Sequence, residues 1–409
     1  MKMYTRVWAP IDLDAVVYNM ESMKKNLNPG TEMVGVVKTD GYGHGAVPIA
    51  KVIDPFVAGY AVATPEEAYV LRRHGVAKWI LVLGVSHESQ YEEMIRQQVR
   101  PSIFTMEQAK PFSEMAQRLG VKAPIHFALD TGMGRIGMTP DEKGADLAKA
   151  IADLPGIETE GLFTHFARAD EADREATIRQ YERYQHFCDL LKERGVEIPL
   201  RHCSNSAAII DFKEMHMGLV RAGISIYGMY PSDEVNKDAV PLRPVMSLKS
   251  RITYVKEMVP GQEISYGGLY KVTKPMRVAT VPVGYGDGYP RSLTGKGMVL
   301  IAGKRVPILG RICMDQFMVD VSEIPEAKVD TEVTLIGEDG NDRISMEEVA
   351  DWCGGFHYEI SCDLGKRIPR VYLKDGKVIG TKDYFDDHYE GFTMWRDTVF
   401  LHKIITERQ

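Results

Sequence analysis

Cysteine is scarce in this chain. Its five copies, Cys188, Cys203, Cys313, Cys353 and Cys362, are odd in number and far apart, which argues against a disulfide framework. None has zinc-ligand spacing, and His202 beside Cys203 is an isolated pair, so no metal site is expected. Basic blocks are missing too. Lysines and arginines are scattered and the formal net charge is −7, which disfavours a nucleic-acid partner. Met1 to Leu13 hold charges, a proline and no sustained apolar run, so they read neither as a secretory signal nor as a membrane span. A cytoplasmic chain with no membrane partner is the expectation. Internal repeats and low-complexity segments are likewise absent.

What the chain does have is length and alternation. Its 409 residues, 44% hydrophobic, allow two domains and a large core. From about Pro10 to Pro241 short apolar runs alternate with longer amphipathic ones. The strand candidates are Val34 to Val37, Val57 to Val62, Trp79 to Leu83, Pro101 to Phe104, Ile125 to Leu129, Glu160 to Thr164, Leu200 to His202 and Gly218 to Val220. Helix starts fall between them. Thr64-Pro65-Glu66-Glu67 combines a cap, a proline and first-turn acids, Thr105 opens a run that ends at Gly120, and Thr139-Pro140-Asp141-Glu142 repeats the first pattern. Such alternation fits an α/β fold with a (β/α)8 TIM barrel over 10–241 better than an open doubly wound sheet.

Beyond Pro241 period-2 alternation and glycine turns take over. Arg251 to Val255, Arg277 to Pro282, Met298 to Ile301, Lys304 to Ile308, Met318 to Val321 and Glu332 to Ile336 read as short antiparallel strands, with one helix at Ser345 to Trp352. The expectation is a β-rich domain of 242–374 joined by residues 1–9. A tail of 375–409 carries Tyr384, Phe385, Tyr389, Phe392, Trp395 and Phe400. That is too much aromatic surface for a solvated end, so the tail should pack on its own chain or a partner.

The residues that invite chemistry follow the barrel strands, whose trailing ends open on one face. Lys38 stands after Met33 to Val37, before a loop with three glycines and a helical run, Ala46 to Ile53. A lysine at the mouth of a buried strand is partly desolvated, so a neutral, nucleophilic amine becomes accessible, as a Schiff-base lysine needs. A lysine that simply ends a strand in water is the plain alternative. Arg135 lies on the glycine-rich loop Asp130 to Gly137, and its planar fork of donors suits a carboxylate; a surface salt bridge would look the same. His165, among apolar residues, is either a satisfied core imidazole or a ring-stacking group. Ser206 begins a helical run, either as a plain N-cap or as part of a phosphate cradle that backbone amides at Gly223 and Ile224, after Arg221, would complete after strands 7 and 8. In the second domain Ser265-Tyr266-Gly267, Gly284 to Arg291 and Arg311 to Gln316 each read singly as turns.

In this order these motifs, with His357-Tyr358-Glu359-Ile360, resemble those of the bacterial alanine racemases, fold-type III enzymes that use pyridoxal 5'-phosphate (PLP). The likeness runs from about residue 10 to Tyr372. It implies Lys38 as the cofactor-holding lysine and one of two bases, with Tyr266 of the neighbouring subunit of a homodimer as the other. Tyr42, Ser206, Gly223, Ile224 and Tyr358 are implied as phosphate ligands. Arg221 would face the pyridine nitrogen, and His165 would stack on the ring and link Arg221 to Tyr266. Arg135 and the Met314 amide would hold the substrate carboxylate, with Tyr285, Arg291, Cys313 and Asp315 as supports of Tyr266 and the entrance. D-alanine supply to the cell wall is the use that the family implies.

One departure stands out. Many members carry a carbamylated lysine two residues before the aspartate of the Asp-Thr-Gly-Met-Gly-Arg motif, where this chain has Ala128. The arginine then lacks an anion, and a partly buried unpaired charge is costly, so a bound chloride near Arg135 is expected. Serine or broader amino-acid specificity, a fold-type III decarboxylase and a non-enzymatic PLP-binding barrel are the competing readings. One methyl against a hydroxymethyl is worth only ~1–3 kcal/mol.

Overall fold

The computed structural model describes Tyr4 and residues 6–383. Parallel strands at Glu32–Val36, Val57–Val62, Trp79–Val82 and Val99–Arg100 continue a sheet that starts with Leu219–Ala222. Ser102–Ile103, Ala123–Ala128, Ile157–Phe163 and Leu200–His202 form the second run. The two runs meet at Pro101, which has no N–H to donate and so splits one strand in two. On the opposite side the Arg221 N–H donates to the Ser204 carbonyl at 2.9 Å, and the two runs make up a (β/α)8 barrel. Near-continuous burial along Val57–Val62 is what a sheet covered on both faces requires.

The helices cover the outside through one apolar face each. Met106–Arg118 buries Ala109, Phe112, Ser113 and Ala116, and Thr105 and Gln108 form its capping box. Glu142–Ala152 is capped by Asp141, not by the expected Thr139, whose hydroxyl donates to the Asp141 carboxylate at 3.0 Å. The last barrel strand also runs further than expected. Arg221 and Ala222 pair in register with Val34 and Gly35, so Arg221 lies inside the strand and not after it.

The second sheet is mostly antiparallel and has eleven strands. Val7–Asp12 is one of them, pairing antiparallel with Leu248–Arg251 and parallel with Arg370–Lys374. The expected strand Arg251 to Val255 is instead two, Leu248–Arg251 and Tyr254–Met258. Between them the Ile252 and Thr253 amides donate to Thr331 and Thr280, so the chain crosses from one partner strand to another. Lys377–Lys382 folds back on Arg370–Lys374. The expected divisions at 9/10 and 374/375 therefore fall inside a strand and inside a hairpin. The aromatic residues from Tyr384 to Phe400 lie outside the described residues. Among the described residues no helix is long and apolar enough to cross a membrane, and no group of His, Cys, Asp or Glu could hold a metal.

Candidate active site

A cavity of about 570 Å³ opens at the trailing ends of the barrel strands. Lys38 enters it two residues after Glu32–Val36. Where an irregular glycine loop was expected, Thr39, Asp40, Gly41, Tyr42 and Gly43 all have positive φ, between 50° and 80°, and make one left-handed turn. Each non-glycine residue in it costs roughly 1–2 kcal/mol, so surrounding bonds must hold it. Gly41 and Gly43 amides donate to Val37 and Thr39 carbonyls, both at 2.9 Å. The Glu67 carboxylate accepts from the Thr39 amide at 2.5 Å and the Ala63 amide at 2.8 Å. From the second domain Arg370 donates to the Gly43 carbonyl at 2.9 Å, the Tyr372 hydroxyl to the His44 carbonyl at 3.1 Å, and Lys382 pairs with Asp40 at 2.6 Å. Burial pushes the Lys38 ammonium pKa down and the Arg135 cation adds to this, against opposing pulls from Glu67 and Cys362.

The cavity floor carries a hydroxyl and amide cluster. Asn205, not Ser206, caps the short helix Ser206–Asp211. The Ser206 hydroxyl is thereby free to accept from the Gly223 amide at 3.0 Å and the Ser225 amide at 3.5 Å. A side chain at position 223 would bring its Cβ to 3.2 Å from the Tyr42 hydroxyl and 3.5 Å from Ser206 Oγ. Tyr42 is held between the rings of Tyr227 and Tyr358, and Tyr227 anchors its own hydroxyl on the Val36 carbonyl at 3.0 Å. Burial raises the Tyr42 and Tyr358 phenols, so both stay neutral and able to donate.

Arg221 is buried at the centre. Its Nη1 donates to His202 Nδ1 at 3.0 Å and the His202 carbonyl at 2.9 Å, and its Nη2 reaches the Thr164 carbonyl at 2.7 Å, the Cys203 carbonyl at 3.1 Å and His165 Nδ1 at 3.4 Å. Nε–H has no protein partner among the described residues. Desolvation lowers Arg221 to about 10, which leaves it cationic at neutral pH. Burial, then Arg221, Arg135 and Lys38, hold His165 down to about 3, so that imidazole is neutral. Arg135 sits on a loop pinned by the Asp130 carboxylate, which accepts from the Gly132 and Gly134 amides at 3.0 Å. Arg135 is exposed, and no carboxylate pairs with it among the described residues. The partial burial invoked for the chloride is therefore not found within one copy; water reaches the guanidinium.

Tyr266 and Met314 do not line this cavity. They are 67% and 53% exposed. Yet the three second-domain turns interlock. Ser265 donates to the Arg311 carbonyl at 2.6 Å, Tyr285 and Gly286 amides donate to Cys313 and Met314 carbonyls at 3.2 and 2.8 Å, and Asp315 pairs with Arg367 at 2.8 Å. Ser265 takes a φ of 67° to turn the chain into Tyr266. Arg291 is exposed at the start of a short helix, Arg291–Leu293, and its side chain makes no bond to Tyr266 within one copy. Sequence reasoning missed Glu67, Tyr227 and His126. His202, set aside as half of an isolated pair, touches Arg221.

Fold and cavity define a class: a barrel enzyme with a desolvated lysine, a neutral imidazole and two arginines around a hydroxyl and amide cluster, fused to a β-rich domain. Residues 11–231 match the alanine racemase N-terminal domain and residues 245–372 the alanine racemase C-terminal domain. The chain belongs to the alanine racemase family. It is 46% identical over 380 residues to the alanine racemase of Clostridium tetani, covering 92% of this chain and 98% of that protein. To the alanine racemase of Desulforamulus reducens it is 45% identical over 368 residues, 90% of this chain and 99% of the relative. The solved alanine racemase of Clostridium difficile 630 superposes with a TM-score of 0.91 at 40% identity, over 94% of this chain and 100% of that one.

Proposed function

We propose that this chain interconverts L- and D-alanine with PLP held by Lys38, and that Tyr266 of a second copy serves as the opposing base. The observation that carries the reading is the gathering of Lys38, Arg135, His165, Ser206 and Arg221 on one cavity while Tyr266 stands exposed on an interlocked turn away from it. The residues suit PLP on three counts. Gly223 leaves the space beside Ser206 and Tyr42 open to a phosphate. The protein uses up both terminal nitrogens of Arg221 and leaves Nε–H for a ring nitrogen. Burial lowers the Lys38 ammonium pKa, which favours the free amine.

When bound, PLP draws electron density from the α-carbon and so acidifies its hydrogen. The chain's own groups do the rest. Arg135 binds the substrate carboxylate through its planar fork. Lys38 Nζ takes or returns a proton on one face of the α-carbon, and the Tyr266 hydroxyl does so on the other, which inverts the centre. Arginine holds its proton tightly, so Arg221 would leave the ring nitrogen neutral and the electron sink moderate. Neutral His165, beside Arg221, would add no second positive charge to the site. Second-copy Tyr266 makes the active form a homodimer. The same reading includes a soluble cytoplasmic enzyme whose D-alanine feeds the cell wall, and a chloride beside Arg135 once a second copy covers it. A lack of anomalous signal there would remove the ion.

The test is incubation of purified protein with L-alanine in heavy water. Inversion with α-deuteration and no carbon dioxide is expected. Exchange without inversion would overturn the two-base reading.

A further inference from the structure

Behind Arg221 a line of buried polar groups runs through the barrel to its outer rim. His202 Nδ1 faces Arg221 Nη1 at 3.0 Å, His202 Nε2 faces His126 Nδ1 at 3.1 Å, and His126 Nε2 faces Glu160 Oε2 at 3.1 Å. Arg100 grips Glu160 with Nε at 2.9 Å and Nη2 at 3.0 Å. Both imidazoles are fully buried. Their rings are fixed by packing: Phe163 stacks on His202 at 5.4 Å and Trp79 lies against His126 at 5.7 Å. Position 161 must be glycine, since a Cβ there would come within 2.4 Å of His126 Nδ1.

Donor chemistry gives this line one direction. A guanidinium only donates, so His202 Nδ1 accepts and its proton sits on Nε2. That N–H donates to His126 Nδ1, which places the His126 proton on Nε2, and that N–H donates to a carboxylate that only accepts. The two ends demand the same pair of tautomers. Burial keeps both imidazoles neutral.

We propose that Glu160 is a positioning residue for Arg221. Acting through His126 and His202, it keeps an unprotonated Nδ1 against the guanidinium and so fixes the orientation that leaves Nε–H unclaimed by protein. The proposal rests on the reading of Arg221 as the group that faces the cofactor ring. Nothing in the line touches substrate.

Glu160→Gln tests it, because the amide can turn its NH₂ toward His126 Nε2 and let the line reverse. A reversed line sets His202 Nδ1–H against an arginine N–H. In holoenzyme with ¹⁵N-labelled histidine, wild-type protein should show both imidazoles neutral with the proton on Nε2 alone, and the variant should show an added Nδ1–H population of both. The variant's kcat for L-alanine should fall roughly tenfold, the scale of one compromised buried hydrogen bond, with KM within about twofold. Arg100→Gln, which leaves the carboxylate in place, should change neither readout. No Nδ1–H population in Glu160→Gln, or an equal kcat loss in Arg100→Gln, would overturn the proposal. Reversed tautomers with full kcat would instead overturn the role given to Arg221.

Discussion

If each active site combines Lys38 of one copy with Tyr266 of another, two dead variants should rescue each other. Lys38→Ala and Tyr266→Phe each remove one base, and loss of a proton-transfer group costs on the order of 10²–10⁴ in rate. Neither change should disturb folding: Lys38 ends in the cavity and Tyr266 is 67% exposed. In a symmetric dimer the two chains contribute identical halves of both sites. A mixed dimer then has one site lacking both bases and one site with both. Random re-assortment makes about half of the dimers mixed, and each of these carries one competent site of two, so about one quarter of wild-type turnover should return. Co-expression with two different affinity tags, sequential purification of the mixed species and a coupled D-alanine assay would measure it; purified mixed dimers should reach about half of wild-type activity. Mixed dimers no more active than their parents would refute a shared site. Activity in Tyr266→Phe alone would refute the second base.

Three further outcomes follow from the same geometry. Arg135→Lys keeps the charge but loses the planar fork. It should raise KM for alanine by roughly tenfold, on the scale of ~1.4 kcal/mol, and an unchanged KM would place the carboxylate elsewhere. Gly43→Ala should destabilise the protein by more than ~2 kcal/mol in a denaturant titration, since φ is 80° and the new Cβ would lie 2.0 Å from the Ser361 carbonyl oxygen; a neutral result would contradict the left-handed turn. The third concerns pH. Burial holds His44 down to about 4, and burial followed by Arg221 holds His165 down to about 3, against an unfolded value near 6.5. Between those values the unfolded chain binds protons that the folded chain refuses. Stability is therefore full above about pH 6.5 and falls as pH drops toward 4, by ~3 kcal/mol for His44 alone. Thermal melts that are flat from pH 7.5 to 4.5 would refute this.

The barrel was legible because parallel strands covered on both faces must be apolar throughout, and runs such as Val57–Val62 carry that signal undiluted. Its breaks were not. Pro101 was visible, but not that pairing resumes on either side of it. Arg221 read as a loop residue because a guanidinium inside a buried strand makes sense only when His202 and carbonyls from neighbouring strands supply acceptors. The same holds for His126, which looks like any residue of an apolar run until Glu160 is seen beside it. Candidate residues at strand ends could be read from order alone, and several of them line one cavity; the groups that hold them come from other parts of the chain and could not be read that way.

The turn at Lys38 shows why. Thr39 and Tyr42 disfavour the left-handed region and Asp40 enters it only occasionally, so Gly41 and Gly43 alone do not announce a turn five residues long. It exists because Glu67, Arg370, Tyr372 and Lys382, from both domains, hold its amides, carbonyls and the Asp40 carboxylate. The conformation that presents the lysine is thus a property of the junction between barrel and sheet. A lysine after a parallel strand would ordinarily run outward with the loop. Here the left-handed turn brings Tyr42 beneath it, with 5.9 Å between Nζ and the ring centre, and leads on to the helix Ala46–Ile53 within a few residues. Lys38 and Tyr42 are thus spaced by one turn, which fixes how far apart the amine and the phenol reach into the cavity. If Lys38 holds the cofactor as proposed, loosening the second domain should weaken cofactor retention before it harms the barrel, because the restraint lost first is the one that the barrel cannot supply to its own lysine.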